Sequence, residues 1–214
     1  MQTGETSKNV EAYQAIKQLI VDQKLFPGQK LIYRDLEEIL GMSKTPIINS
    51  LMRLEQEGLV VSKKNRGFYM KEVSLEEAEQ IFDLREKLEM ISVEYATANH
   101  STDDLRVLER AVEEYRNYEA PIYDRKRMEL DTAIHMQIAL MGKNQFFSSM
   151  IKTFYENIYF SLNVVHLTYR IDGFKDEHLM LCEALKAKDL ARAKEIIGEH
   201  TRAARKLLTA ALGA

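Results

Sequence analysis

The chain has 214 residues, 45% of them hydrophobic and 29% charged, and carries a formal net charge of −3. That balance is ordinary for a globular protein of one or two domains; with no apolar run of the roughly 18–20 residues a membrane span needs, and no signal-peptide core, a cytoplasmic protein without membrane contact is expected. The single cysteine, Cys182, excludes an internal disulfide and reads as a small buried hydrophobe.

Charge is unevenly spread. Residues 1–71 hold 11 Lys and Arg against 8 Asp and Glu, and the remainder 19 against 25. A basic front joined to an acidic back suits a nucleic-acid module fused to a module with another task. After a polar leader, Val10, Tyr13, Ile16, Ile20 and Val21 recur at helical spacing and predict a first helix over about 9–22, which stops ahead of the turn at Pro27-Gly28. The stretch YRDLEEILG predicts a second helix with Leu36, Ile39 and Leu40 inward and Gly41 as its stop. In SKTPIINSLMRLEQEG, Thr45 reads as the N-cap with Pro46 at the first helical position, Ile47, Leu51 and Leu54 along one face, and the end at Gly58. LVVSKKNRGFYMKEV predicts two short strands around a basic turn at 63–67.

Three helices and a basic hairpin describe a winged helix-turn-helix over about residues 1–72. The segments LFPGQKL, LEEILGMSKTPIINSLMRLEQEGLV and RGFYM resemble the N-terminal domain of GntR-family bacterial transcription regulators. The likeness rests on Pro27-Gly28, Leu40-Gly41, Ser43, Thr45-Pro46, Leu54 with Glu57-Gly58, and Gly67.

From about residue 73 to 214 the pattern is helical throughout. Ser74 and Glu77 make a capping box for a helix to about 98, and Ser101 with Asp103 and Asp104 opens another to about 118. A third follows Pro121 and ends near Gly142, Asn144 caps a fourth to about 169, and two more cover about 172–187 and 189–212. Short loops between such helices imply an all-α bundle with antiparallel neighbours. This bundle resembles the effector-binding FCD domain of the FadR subfamily of GntR regulators. The expected fold is thus mostly α, a winged helix-turn-helix followed by an FCD-like bundle.

In a helix-turn-helix the front of the second helix of the motif enters the major groove, so Ser43, Lys44, Thr45, Ile48 and Asn49 are the side chains set to meet double-stranded operator DNA. Lys44 suits a phosphate or a guanine edge and Asn49 an adenine; Arg34, Lys63, Lys64 and Arg66 suit the flanking backbone or minor groove. The resemblance implies DNA proximity for Arg34, Lys44, Thr45 and Gly67. Two positions depart from it: Lys44 and Ile48 stand where the family commonly has Arg, which removes a bidentate fork at one and the charge at the other.

In LDTAIHMQIA, Asp131 and His135 share a helix face four residues apart, enough for half a metal site. His178 and His200 lie among inward-facing apolar residues of the last two helices. One carboxylate and three imidazoles suit Zn, Ni, Mn or Fe; the plainer alternatives are a surface hydrogen bond for the Asp/His pair and satisfied core histidines for the rest. The FCD resemblance implies the metal, since its metal-binding members carry Asp-x-x-x-His, then Glu-His, then a last-helix His, and all four positions are filled here. A coordination position left open suits a small organic acid as effector. Arg85 matches a family Arg that pairs with an effector carboxylate, or else bridges to Asp83 or Glu89 on the surface; Asn163 and His166 are further effector-facing candidates, His166 outside the family pattern.

The expected function is a ligand-responsive transcriptional regulator that binds a palindromic operator as a homodimer, and not an enzyme. The alternatives are a metal-dependent hydrolase using the Asp/His site, for which no extra general base is evident, and a bundle whose metal is purely structural.

Overall fold

The computed structural model describes residues 2–22, 24–119, 124–162 and 174–212, with the side chains of 2–6, 157–162, 174, 175 and 211 outside that description. Two compact units are distinguished, one of residues 1–73 together with 157–162 and the other of residues 74–156 together with 174–212.

The first unit opens with α1, Gln2–Val21, followed by β1, Lys30–Leu31, α2, Tyr33–Leu40, α3, Lys44–Gln56, β2, Val60–Lys63, and β3, Gly67–Met70. The leader expected to precede the first helix is part of α1, and Val10, expected inward, is 48% exposed. Tyr13, Ile16 and Ile20 keep the i, i+3 and i+4 spacing that turns one face of α1 onto Ile47, Leu51 and Leu54 of α3, all fully buried or nearly so. In α2 only Leu36 is buried; Ile39, also expected inward, is exposed. Gly41 ends α2 at φ 62°, a left-handed turn that glycine adopts without a Cβ clash, and this makes the tight corner into α3.

Helix α3 begins earlier than its sequence suggests. Ser43 occupies the N-cap position, so Pro46 falls at the third helical position and not the first. Both placements cost nothing in hydrogen bonds, because the first turn of a helix has no intrahelical use for an N–H. The hairpin forms as expected, with Val60 opposite Met70 and Lys63 opposite Gly67 around a turn at 64–66. Phe68 and Met70 point into the core while Tyr69 alternates outward. The sheet has a third strand that no sequence signal marked: β1 pairs antiparallel with β3, giving the order β1-β3-β2.

The second unit contains α4, Leu75–Asn99, α5, Thr102–Asn117, α6, Arg125–Met141, the part of α7, Gln145–Leu162, that precedes Asn157, α8, Phe174–Lys186, and α9, Leu190–Leu212. The expected capping box of Ser74 with Glu77 is formed, and Ser101, expected to open the next helix, makes a second one with Asp104, so α4 and α5 begin where their side chains satisfy the first free amides. Asn144 accepts from Phe147 N at 3.1 Å and caps α7. Pro121 and Asp172 lie outside the described residues. Helix α4 packs on α9 and α6, α5 on α6 and α8, and α8 on α9. The helix at the centre is α6, whose buried residues Leu130, Ile134, Ile138, Ala139 and Met141 span more than one face. At its C-terminus a Cβ on Gly142 would stand 2.6 Å from Tyr95 Cβ of α4, so glycine permits the two helices to close on each other there. Cys182 is buried with the core, and its thiol is pushed up to about 11 by burial.

Ile138, fully buried at the middle of this core, sets the scale of its packing. Ile138→Ala is expected to cost about 2–5 kcal/mol, read as a lower urea midpoint with an unchanged slope.

Candidate functional site

The buried stripe of α4 runs through Ala78, Phe82, Arg85, Glu89, Ser92 and Ala96, steps of three or four residues that place a cation and an anion on the core side of the helix. Facing them on α6 are Asp131 and His135, with His178 on α8 and His200 on α9; all four are buried. One ligand atom from each of Asp131, His135, His178 and His200 lies within 4.8 Å of all the others. Donors around a tetrahedral ion at the usual Zn–N length of about 2.1 Å stand about 3.4 Å apart, so the widest pairs of the cluster would have to draw in by up to about 1.4 Å to close on one.

The contacts inside the cluster are specific. His178 Nε2 is 3.3 Å from Asp131 Oδ1, and His135 Nε2 is 3.7 Å from Oδ2. Ring centroids of His178 and His200 are 4.7 Å apart, those of His135 and His200 5.1 Å. Arg85 Nη2 donates to His135 Nε2 at 3.1 Å and lies 3.6 Å from Asp131 Oδ2, while its Nε reaches Glu89 Oε1 at 3.5 Å. Glu89 Oε1 is also 2.9 Å from His135 Nδ1, and Glu177 Oε2 is 2.9 Å from His200 Nδ1. Several buried polar atoms among these groups make no aligned hydrogen bond: both nitrogens of His178, Glu89 Oε2, and the hydroxyls of Tyr115 and Tyr155. Buried polar groups without partners are rare in folded proteins, and several of them lie together here.

Electrostatics point the same way. Burial drives His178 downward and His200 down to about 4, so both rings are neutral near pH 7, the state in which an imidazole can ligate. Burial opposes the charge of Asp131, yet the facing imidazoles, His135 first, more than offset it and hold the carboxyl below the carboxylate range. Glu89 is also held low against burial, by His135 and Arg85. The imidazoles aside, the buried charges are two carboxylates and one guanidinium, a net anionic set that a divalent cation would turn positive.

Of the expected effector residues, Arg85 is 5% exposed and does not bridge to Asp83, which pairs with Lys87 instead; its ion pair with Glu89 is interior and not on the surface. Asn163 and His166 lie outside the described residues. Glu89, Tyr115 and Tyr155 were not singled out from sequence. For Glu89 a signal existed, since Arg85 and Glu89 are opposite charges four residues apart on an apolar stripe. The two tyrosines carry none, because a tyrosine on a helix is commonly core. The edge of the Tyr115 ring meets His178 at 4.6 Å, and Tyr155 stacks on His135 at 5.8 Å.

In the first unit Ser43, Lys44, Thr45 and Asn49 are exposed at the front of α3, with Ile48 half-buried between them. Asn49 Nδ2 makes a long 3.4 Å hydrogen bond to Asn9 Oδ1, and Lys44 Nζ lies over the Tyr33 ring at 5.0 Å. Arg34 is exposed and paired with Glu38 at 3.2 Å. Lys63, Lys64 and Arg66 are exposed on the hairpin, where Gly67 takes φ 90°.

Helix-turn-helix, wing and a helical unit with a buried donor cluster define a class of two-part DNA-binding regulators. Comparison with known families gives the class its name: residues 8–70 match the bacterial regulatory proteins of the gntR family, and residues 80–203 match the FCD domain. The chain belongs to the GntR family of transcriptional regulators, in the branch that carries an FCD domain. It is 26% identical over 182 residues to the HTH-type transcriptional regulator McbR of Escherichia coli, covering 82% of this chain and 80% of that one. It is 23% identical to the uncharacterized HTH-type regulator YdhC of Bacillus subtilis, covering 89% and 86%. The solved structure of E. coli McbR/YncC superposes with a TM-score of 0.71 at 22% identity over 91% of this chain and 93% of that one. A putative GntR regulator from Rhodococcus sp. RHA1 gives 0.72 at 18% identity, over 97% and 99%. These relatives are regulators and not enzymes, which sets the hydrolase alternative aside. No helix among the described residues is long and apolar enough to cross a membrane.

The histidine values carry a pH dependence for the metal-free protein. An unfolded chain protonates near 6.5 the His200 ring that the folded chain keeps neutral to about 4, and His178 is lowered in the same direction, so stability is full above about 6.5 and falls as the pH drops toward 4. For His200 alone the loss is about 3 kcal/mol. Asp131 and Glu89, held low when folded, add a further loss below about 4. Urea midpoints measured from pH 7.5 to about 4.5 should decline steadily; a flat profile would contradict the burial of neutral imidazoles.

Proposed function

We propose that this GntR regulator is a metal-dependent sensor of a small organic acid: a homodimer presents two α3 helices and two wings to a palindromic operator, and a divalent transition metal held by Asp131, His135, His178 and His200 anchors the acid. The observation that carries the sensor half is the buried cluster of four donors within 4.8 Å, set among polar atoms that have no aligned partner. Three nitrogens and one oxygen suit Zn, Ni, Mn or Fe. When bound, the ion supplies positive charge and coordination positions that the four protein ligands leave open. Arg85 places a guanidinium at the same spot, and its fork matches a carboxylate. The pocket reverses sign when it loads, from anionic to cationic, and this favours an anionic effector.

On the DNA side, the exposed front of α3 with Ser43, Lys44, Thr45 and Asn49 reads base edges, and Arg34, Lys63, Lys64, Arg66 and the backbone at Gly67 meet the phosphates. Ile48 offers methyl groups where an arginine fork would read guanine; it packs on a thymine methyl and lowers guanine preference. The acid acts on DNA binding through whatever difference in affinity it has for the two dimer arrangements, and through nothing else. Binding by the winged unit and sensing by the helical unit make up the full domain plan, 1–72 and 73–214.

Two experiments test this reading. In the full-length protein, His178→Ala with His200→Ala should strip metal, read by elemental mass spectrometry, and abolish the change in operator gel shift caused by small carboxylic acids; full metal occupancy in that double variant would disprove the ligand set. In selection from randomised duplexes, Ile48→Arg should raise guanine preference at one position of each half-site by about 1–3 kcal/mol, and an unchanged consensus would remove Ile48 from the reading surface.

A further inference from the structure

To bind an ion the imidazole of His135 must be neutral, with its one proton on either nitrogen and the lone pair of the other offered to the ion. Arg85 settles which one is free. A guanidinium has donors and no acceptor, so the nitrogen it addresses at 3.1 Å, His135 Nε2, must offer its lone pair. The proton therefore sits on Nδ1, and 2.9 Å from Nδ1 stands Glu89 Oε1. Nε2 is also the nitrogen that faces Asp131, at 3.7 Å. The guanidinium thus stands on the lone pair that a cation would take, and the carboxylate stands behind it.

We infer that Glu89 is a positioning residue for the metal centre: it fixes His135 as the Nδ1–H tautomer, aims Nε2 at the ion, and keeps a compensating negative charge beside the ring. This rests on the metal reading above. Glu89 is 1% exposed, on a different helix from any of the four ligands, and its second oxygen has no aligned partner. The 2.9 Å approach to Nδ1 is within hydrogen-bond distance but not aligned as a hydrogen bond, and a change in ring orientation would be needed to make it one. A buried carboxylate behind a metal-bound imidazole raises the basicity of the ring and holds its orientation, and loss of such a partner commonly weakens metal binding by about 10–100-fold. Glu177 stands in the same relation to His200, 2.9 Å from Nδ1, from a more exposed position.

The test uses the full-length protein, stripped of metal and titrated with Zn²⁺ against a chromophoric chelator and with Co²⁺ by visible absorption. Glu89→Gln is expected to weaken both ions by about 10–100-fold and to alter the Co²⁺ ligand-field bands. Long-range ¹H–¹⁵N correlation on the metal-free wild type should show His135 with its proton on Nδ1, and the variant should show a mixture. A wild-type proton on Nε2 overturns the inference without recourse to any variant, and so does a Glu89→Gln protein with unchanged affinity and tautomer. A wild type that takes up neither ion overturns the metal reading beneath it, an outcome distinct from either of those.

Discussion

A carboxylate inside a protein must be given donors or cations of its own, and the helical unit is organised around meeting that demand twice over. Asp131 and Glu89 are both buried, on neighbouring helices, with one guanidinium between them. Three imbedded imbalances follow: a ring nitrogen pressed against a carboxylate, a guanidinium shared by two anions, and imidazole atoms left unmatched. An apolar core of the same size would be more stable. That these groups occupy the middle of the bundle, on α4, α6, α8 and α9, means the folding of four helices and the affinity of the site are one problem.

The division of labour between the two units follows from their materials. The first gains its core from α1 packed on α3, with the short sheet covering one end, and leaves the front of α3 and the hairpin bare and basic. The second buries charge, which surface-reading domains avoid. Local chemistry serves both: Gly41 turns the chain at a positive φ between α2 and α3, and two capping boxes fix the starts of α4 and α5.

Much of the fold was readable from sequence because its signals are local. Capping boxes, the Pro-Gly turn and the Asn-Arg-Gly tip each act within a few residues, and the elements they bound appear at the expected places. The start of α3 was not fixed, since Thr-Pro satisfies an N-cap pattern and Ser43 satisfies it equally two residues earlier. Strand β1 is two residues long and exists through its pairing with β3, a long-range fact that no local pattern encodes. Val10 and Ile39 fit a helical stripe but lie on faces that no partner covers. At the site, Asp131 and His135 could be paired by spacing alone, whereas joining them to His178 and His200 took family likeness. For Arg85 two readings stood side by side, an effector-facing position and a surface bridge to Asp83 or Glu89; its burial removes the surface bridge, since periodicity sorts residues into faces without saying which face is the inside.

Gly142 extends the reach of the site beyond the residues that form it. It ends the helix that carries Asp131 and His135, and it lies against Tyr95 on the helix that carries Arg85 and Glu89. The gap between those two helices is therefore governed by a missing methyl group seven residues, or about 10 Å, past His135. A side chain at this position would push α4 and α6 apart and so reshape the cluster of Asp131, His135, His178 and His200 from a distance, while those four side chains stayed as they are.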